Sequence, residues 1–344
     1  MFYFNCDYME GCHPNILKRL QEENLVQYVG YSEDEICGSA RNRIRIACGR
    51  DDLDVHFIVG GTQTNLISIA YALRPYEAVI SASAGHIATH ETGAIEATGH
   101  KVITVDGKDS KITPEDISRI MEEYNNSTTI DHIVKPKMVY TSLPTEYGAI
   151  YSKKELIAIY ETCRKYDIYL YIDGARLGYA LGCSENDLTL SDITEYSDYF
   201  YIGGTKCGAL IGEALVIKNP ELKPNFRALI KQRGAMLAKG KVLGIQFDEL
   251  FKDDLYVKIN THAVEQANDI RDTFAKKGIE VVGNSPTNQI FVNLSDADNA
   301  KLSEKVGYSV WGPADNGLTT YRFVTSWATS DEAVEELKAA INSL

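Results

Sequence analysis

Short β-rich runs alternate with helical patterns along most of the chain, and this alternation limits the possible folds more than any other feature. The runs predicted as strands are residues 54–59, 78–82, 101–105, 137–141, 168–172, 200–202 and 214–217. The helical patterns are residues 61–73, 113–124, 153–166 and 190–196, and the second begins with Thr113-Pro114-Glu115-Asp116, a helix-start signature. Such alternation predicts an α/β fold with a mostly parallel sheet and helices on both faces.

The pattern changes after a basic stretch at residues 223–241. A long helical region at about 243–277 is followed by predicted strands at 279–282, 290–292, 309–311 and 321–325, and by a closing helix from Ser330. This succession is α+β in character. The sequence therefore predicts an N-terminal segment and large domain over residues 1–250 and a smaller C-terminal α+β domain over residues 251–344.

Charge and cysteine usage exclude several classes of protein. The net charge is −13, and no segment concentrates Lys or Arg together with aromatic residues, which argues against nucleic acid or an anionic membrane as the main partner. The start lacks the features of a signal peptide, and no apolar run reaches the roughly 18 residues that span a bilayer. Seven scattered cysteines with no C-x-x-C pair are typical of reduced thiols, so we expect no metal site and a cytoplasmic location.

Three loops at predicted strand ends carry the residues most suited to chemistry. They are GGTQTN at 60–65, DGAR at 173–176 and GGTKCG at 203–208. Ligands of an open parallel sheet bind where strands end at their carboxyl side, so these loops are expected to lie together. The first loop opens a helix and could hold a phosphate on its backbone N–H groups, although a simple strand-to-helix turn that needs glycine is the commoner reason for such a sequence. Neither G-x-G-x-x-G nor a Walker-type loop is present.

Lys206 and Asp173 complete a set of residues that could hold pyridoxal 5′-phosphate. A lysine flanked by glycines can reach a cleft, where desolvation makes its amine a nucleophile toward carbonyls. The lysine would form the Schiff base, and the carboxylate would pair with the protonated pyridine nitrogen and keep the ring an electron sink. A solvated surface lysine and an ordinary ion pair between Asp173 and Arg176 are the alternatives.

The sequence resembles the L-threonine aldolase branch of the β-eliminating lyases, within the fold-type-I pyridoxal-phosphate enzymes. The resemblance extends from FNCDYMEG near the start to YRFVTSW near the end, through GGTQTN, GHIATHETGAIE, PTEYGAIY, YIDGAR and FYIGGTKCGALIGEA. Each of these motifs is weak alone, but together and in family order they are a strong signal. The fold implied is that of the PLP-dependent transferases, with the smaller C-terminal domain described above.

The resemblance also implies roles for individual residues. Lys206 and His86 would be catalytic, with His86 stacked on the face of the cofactor ring, and Arg176 and Arg322 would receive the substrate carboxylate. The remaining contacts would come from Gly61, Thr62, Asp173, Thr205 and Lys239 for the cofactor, and from Tyr31 and Cys6 for the substrate. Lys239 matches a phosphate contact commonly supplied across a subunit boundary, so a homodimer or homotetramer with sites at subunit interfaces is implied.

Three positions depart from the family pattern. Cys6 stands where many members have a small hydroxyl residue, Glu146 where many have histidine, and Cys207 where glycine often follows the lysine. The resemblance implies that these positions contact or surround the substrate β-hydroxyl, so they would bear on substrate range more than on the cofactor.

The reaction implied is cleavage of L-threonine, L-allo-threonine or a related β-hydroxy-α-amino acid to glycine and an aldehyde. The base that removes the β-hydroxyl proton stays open among His86, His90, Glu91, Glu146 and a phosphate-bound water. Another PLP-dependent β-eliminating lyase or an aminotransferase is the first alternative. A non-catalytic phosphate-binding module is the second, although phosphate binding alone needs neither Lys206 nor Asp173.

Overall fold

A computed structural model describes the backbone of residues 1–344 and every side chain except that of Asn316. Its strands are β1 (Phe2–Tyr3), β2 (Asp54–Ile58), β3 (Glu77–Ala82), β4 (Val102–Val105), β5 (Lys135–Ser142), β6 (Tyr169–Asp173), β7 (Tyr199–Gly203), β8 (Glu213–Ile217), β9 (Gln289–Leu294), β10 (Val306–Gly307), β11 (Ser309–Pro313) and β12 (Thr319–Val324).

Its α-helices are α1 (Pro14–Glu22), α2 (Glu35–Cys48), α3 (Gly61–Ala72), α4 (His86–Thr89), α5 (Pro114–Asn125), α6 (Lys153–Lys165), α7 (Leu177–Leu181), α8 (Leu190–Glu195), α9 (Phe226–Gln232), α10 (Lys241–Leu250), α11 (Leu255–Lys276), α12 (Asp296–Ser303) and α13 (Asp331–Asn342). Single turns of 3₁₀-helix occur at Glu96–Thr98, Lys108–Ser110, Ile130–His132, Pro220–Leu222 and Asp315–Gly317. None of the helices described is long and apolar enough to cross a membrane.

The central sheet has seven strands in the order β2-β8-β7-β6-β5-β3-β4. Strands β4, β3, β5, β6 and β7 pair in parallel, and β8 runs antiparallel to both β7 and β2. The predicted mostly parallel sheet and the fold class are therefore confirmed. The predicted helix start at residue 113 is also confirmed, because Thr113 and Asp116 form a capping box at the beginning of α5.

Alternate residues of the parallel strands belong to different cores. Leu170 and Ile172 of β6 pack in one apolar cluster with α2, α6 and α10, whereas Tyr171 packs in a second cluster with α3 and α9. This is the period-two alternation expected of a strand that is buried on both faces. Asp173 has the parity of Tyr171, so its carboxylate emerges on the face occupied by the second cluster.

The C-terminal part forms a separate antiparallel sheet, β11-β12-β9, with a third apolar cluster between it and helices α11 and α13. The predicted strand at 279–282 is wrong, because only Val281 forms an isolated bridge, to Val292. The amino terminus also belongs to this region in space, since β1 pairs with β10 and Phe4 lies in the third cluster. The division of the chain at residue 250 stays a prediction.

Gly174 follows Asp173 at the point where the chain turns from β6 toward α7. A Cβ at this position would lie 1.9 Å from the carbonyl oxygen of Tyr201 and 3.2 Å from Leu177 Cβ. The Gly174 carbonyl also accepts the N–H of Gly203 at 2.9 Å, which holds the two loops against each other. Only glycine allows two backbones to approach this closely.

Replacing Gly174 by alanine is therefore expected to lower the free energy of unfolding by roughly 1–3 kcal/mol or more, because the neighbour is backbone and cannot rotate away. Urea unfolding measures the change. Gly38→Ala in α2 is the matched control: a Cβ there meets no atom within 4 Å, and alanine is the better helix former by about 1 kcal/mol. Equal effects of the two substitutions would contradict the packing explanation.

Candidate active site

A cavity of about 330 Å³ opens at the carboxyl ends of β2, β6 and β7. Each of the three loops singled out in the sequence contributes to its wall: Gly60, Gly61, Thr62, Asp173, Thr205 and Lys206 all line it. Residues more than 140 positions apart in the chain thus meet because parallel strands end at one edge of a sheet.

Asp173 lies at the base of this cavity with both carboxylate oxygens hydrogen-bonded. Oδ1 accepts the hydroxyl of Tyr201 at 2.5 Å and the backbone N–H of Ala175 at 2.9 Å. Oδ2 accepts the hydroxyl of Tyr140 at 2.5 Å and the amide Nδ2 of Asn65 at 3.1 Å. Burial alone raises the pKa of Asp173, but the nearby His86 and the two phenol donors outweigh it and hold the pKa below its ordinary value.

Lys206 is half-buried and faces the same cavity. Burial, followed by the positive charge of Arg176, lowers the pKa of its amine, while the carboxylates of Asp7 and Asp173 oppose the shift. A lowered pKa increases the fraction of neutral amine, the form that attacks carbonyl carbon. The surface-lysine alternative is thus wrong for Lys206.

His86 is the first residue of α4 and lines the cavity. Its Nδ1 lies 2.8 Å from Oε1 of Glu91, whose side chain is fully buried. This contact fixes the plane of the imidazole and leaves Nε2 as the nitrogen available to a ligand. His90, another candidate base, is exposed and does not line the cavity.

Arg176 forms a bidentate ion pair with Asp7 at the edge of the cavity, at 2.7 and 3.0 Å. Burial alone would lower the pKa of Arg176, but Asp7 outweighs this effect and raises it, so the guanidinium stays charged. Burial raises the pKa of Asp7, but Arg176 and Lys206 overcome it and hold the pKa low. Asn288 also donates to Asp7 at 2.9 Å, and the guanidinium is thereby held in one orientation.

Arg322 comes from β12 in the C-terminal sheet and does not line the cavity. Burial and the neighbouring charge of Arg176 lower its pKa, which places the two guanidinium groups within electrostatic reach of each other. Its Nη atoms donate to Gln289 and to the carbonyl of Asn5, and its buried Nε has no partner among the described side chains. Cys6 follows Asn5, and its side chain lies close to the hydroxyl of Tyr8, a cavity residue.

Tyr31 and Lys239 lie apart from this cavity. The Tyr31 N–H donates to the carbonyl of Ala238, the residue before Lys239, at 3.0 Å. The side chains of Tyr31 and Lys239 are both exposed. Tyr31 lines a much smaller cavity together with Arg227 and His56. Neither Tyr31 nor Lys239 therefore lines the main cavity of its own chain. The roles predicted for them from the sequence stay predictions.

Glu146 lines the cavity with both oxygens engaged. Oε1 accepts the backbone N–H of His86 at 2.9 Å and the hydroxyl of Ser142 at 2.7 Å, and Oε2 accepts the hydroxyl of Ser110 at 2.9 Å. Burial raises the pKa of this carboxyl despite these donors. Glu146 therefore fixes the start of α4, and through it the position of His86.

Several residues that line or support the cavity were not predicted from the sequence. Asp7, Tyr8, Asn65, Tyr140, Tyr201 and Glu213 belong to this group. A signal existed for the tyrosines, since residues 140, 171, 199 and 201 share one face of adjacent strands. Nothing in the sequence indicated that Asp7 reaches Arg176.

Glu213 is a fully buried carboxyl in β8 whose Oε2 accepts the Gly204 N–H at 2.8 Å. Burial raises its pKa from 4.5 to about 7, although the Gly204 bond and the charge of Lys206 oppose the shift. Between pH 4.5 and about 7 the folded state keeps a proton that the unfolded state has released. Rising pH therefore lowers the free energy of unfolding across this window, with no further contribution above it.

We expect Glu213→Gln to remove this loss of stability, since glutamine cannot ionise. The measurement is urea unfolding at pH 5 and pH 7, comparing the change in free energy between the two pH values. Glu115→Gln, on the exposed side of α5, is the control and should retain the behaviour of the unaltered protein. A Glu213→Gln protein with an undiminished loss between pH 5 and pH 7 would assign the titration to another group.

The cavity residues fit pyridoxal phosphate by the chemistry of their donors. Gly61 begins α3, and a Cβ there would come within 3.1 Å of the Tyr201 hydroxyl. The absence of a side chain at this position leaves the N-terminus of the helix open to the cavity. A phosphate could be held there by Gly61 and Thr62, with Thr205 beside them. Asp173 and Lys206 supply the carboxylate and the amine that the ring requires.

The chain is similar to several known proteins over most of its length. The model of the family described as "Beta-eliminating lyase" matches residues 20–301. A low specificity L-threonine aldolase of Pseudomonas sp. (strain NCIMB 10558) is 28% identical, with 99% of this chain and 97% of that protein covered. A second, from Pseudomonas aeruginosa, is 29% identical, with 97% and 95% covered.

Solved structures extend the comparison. The structure of a Leishmania major threonine aldolase superposes with a TM-score of 0.97 and 44% identity, covering 100% of this chain and 99% of that one. A Thermus thermophilus aspartate aminotransferase double mutant has a TM-score of 0.72 at 16% identity, with 100% and 92% covered, and shares the fold alone.

Proposed function

The chain belongs to the beta-eliminating lyase family, and we propose that it is an aldolase that cleaves L-threonine, L-allo-threonine and related β-hydroxy-α-amino acids to glycine and an aldehyde. Its cofactor is pyridoxal 5′-phosphate. The observation that carries the proposal is that Lys206, Asp173 and Arg176 line one cavity, in a chain 44% identical to a threonine aldolase.

The cavity residues divide into those that hold the cofactor and those that hold the substrate. Lys206 would be the amine that binds the cofactor aldehyde, Asp173 would hold the ring nitrogen, and Gly61, Thr62 and Thr205 would hold the phosphate. The bound cofactor supplies an electron sink for the pair released when the Cα–Cβ bond breaks. Everything else in the reaction depends on how the protein orients the substrate, accepts the β-hydroxyl proton and returns a proton to Cα.

Arg176 and Arg322 are proposed to fix the substrate carboxylate. A planar guanidinium suits a bidentate carboxylate contact, and Asp7 already holds Arg176 in a single orientation. Arg322 does not line the cavity, but its buried Nε has no partner among the described side chains and is the second donor that we propose. Fixing the carboxylate would orient the substrate and so would select which bond of Cα is broken.

His86 is the base that we propose for the β-hydroxyl proton. Glu91 engages Nδ1 and leaves Nε2 facing the cavity, an arrangement like the acid-oriented histidine of hydrolytic triads. Glu91 is buried and turned toward His86 and Asn65, and Glu146 is committed to three donors. These contacts make both glutamates positioning residues in the proposal.

The experiment that tests the proposal combines detection of the cleavage products with a transamination assay, in which a keto acid is supplied. Purified protein with pyridoxal phosphate is given L-threonine, L-allo-threonine or L-serine, and acetaldehyde, formaldehyde and glycine are measured. Acetaldehyde and glycine in equal amounts would support the aldolase. Conversion of a keto acid to an amino acid with no aldehyde would identify an aminotransferase, and pyruvate or 2-oxobutyrate with ammonia would identify an eliminating lyase.

We further propose that the protein is a homodimer or homotetramer in which Lys239 and Tyr31 serve the site of a neighbouring subunit. Both are exposed and lie together, away from the cavity of their own chain. Sedimentation velocity of the holoenzyme tests the assembly: a monomer that is fully active would remove this role for both residues.

A further inference from the structure

The carboxylate of Asp173 accepts four hydrogen bonds from the protein. Tyr201 and the Ala175 N–H occupy Oδ1, and Tyr140 and Asn65 occupy Oδ2, at distances from 2.5 to 3.1 Å. These three side chains are 1% exposed or less, so solvent does not compete for the sites.

Asn65 extends this network from Asp173 to His86. Its Nδ2 donates both to Asp173 at 3.1 Å and to Oε1 of Glu91 at 2.7 Å, and that same oxygen contacts Nδ1 of His86. The Tyr171 hydroxyl donates to Oδ1 of Asn65 at 2.8 Å. The amide orientation is unambiguous, because both carboxylates can only accept and a carboxamide nitrogen has two hydrogens to give.

We propose that Tyr140, Tyr201 and Asn65 are positioning residues that keep the negative charge on Asp173 and so keep the ring proton on the cofactor nitrogen, with Asn65 tying this carboxylate to the Glu91–His86 pair. The inference rests on the pyridoxal-phosphate chemistry of the proposed function but does not depend on which amino acid is cleaved.

The physical reason is a competition between two bases for one proton. Burial makes Asp173 a stronger base, which would draw the ring proton onto the carboxyl and weaken the electron sink. Hydrogen-bond donors stabilise the anion and reverse this tendency, and bonds to a charged group are the strong ones. Losing one phenol donor therefore shifts the proton from the ring nitrogen toward Asp173.

The test uses holoenzyme reconstituted with pyridoxal phosphate carrying ¹⁵N in the ring, whose ¹⁵N resonance distinguishes protonated from unprotonated pyridine nitrogen. Tyr140→Phe and Tyr201→Phe are each expected to move the resonance toward the unprotonated position and to lower kcat on the order of 10-fold at little-changed KM. Asn65→Ser should also move it and lower kcat further, since it releases Glu91 as well.

Tyr199→Phe is the matched control. Tyr199 is buried on the same face, two residues before Tyr201, but its hydroxyl bonds to the Ser68 carbonyl and to Met138 Sδ. Its variant should keep both the resonance and kcat of the unaltered enzyme. An unmoved resonance in both the Tyr140 and Tyr201 variants would overturn the inference, even if kcat fell. A moved resonance in protein that cleaves no threonine would support the inference and refute only the aldolase.

Discussion

Replacing Lys206 by alanine is expected to reduce aldehyde release from L-threonine by roughly 10³-fold or more, because no other amine takes its place in the cavity wall. The visible absorbance that a lysine-linked cofactor gives should be absent from the variant, while the phosphate site and Asp173 remain. Acetaldehyde release over time and an absorbance spectrum after incubation with pyridoxal phosphate are the two measurements.

Lys218→Ala is the matched control for Lys206→Ala. Lys218 follows β8 and is half-buried; burial lowers the pKa of its amine too, yet it contacts Tyr160 and lies outside the cavity. Its loss should affect stability without affecting the spectrum or the rate per bound cofactor. If Lys206→Ala retained both the absorbance and turnover, the role of this lysine and the proposed mechanism would be refuted together.

The residues that could be predicted from the sequence are those whose positions depend on local features of the chain. Asp173 ends β6, and Lys206 comes three residues after the end of β7. Since parallel strands end at one edge, their meeting can be predicted without coordinates. The first-turn cap of α5 and the glycine at 174 are equally local features.

Contacts between distant segments could not be predicted in this way. Asp7 pairs with Arg176 only because β1 adds to β10 and carries the amino terminus across to the C-terminal sheet. Asn65 bridges Glu91 and Asp173 because α3 and α4 both begin at the sheet edge. The motif GGTQTN identifies Asn65 as part of a loop but says nothing of its two acceptors.

The structure shows the contacts made by two of the residues that depart from the family pattern, Glu146 and Cys207. Glu146, at the position where many members carry histidine, accepts the first N–H of α4 and thereby fixes the residue that we propose as the base. Cys207 is buried with its Sγ near the Ala175 carbonyl, and burial raises the pKa of its thiol to about 12. It therefore packs as a neutral side chain behind Lys206 and offers no thiolate to the substrate.

Replacing Asp173 by asparagine is expected to lower kcat on the order of 10²- to 10³-fold, the loss typical when one preorganised electrostatic group is removed. The substitution keeps the size of the side chain but removes the charge that holds the ring proton. It also presents an amide N–H to donors already pointing at this position from Tyr140, Tyr201 and Asn65. Cofactor affinity should weaken as well, and fluorescence titration with pyridoxal phosphate measures it.

Asp198→Asn separates this effect from the general cost of altering a buried aspartate. Asp198 is 1% exposed and bonds to Arg164 and to the Leu170 N–H of β6; it immediately precedes β7, whereas the cavity loop follows the other end of that strand. Its variant should be less stable toward urea but should turn over at a normal rate per bound cofactor. Asp173→Asn should show the opposite pattern: the protein should stay folded, but its kcat should be much lower. An Asp173→Asn enzyme with near-normal kcat would mean that the electron sink works without this carboxylate, and the pairing of Asp173 with the ring nitrogen would have to be abandoned.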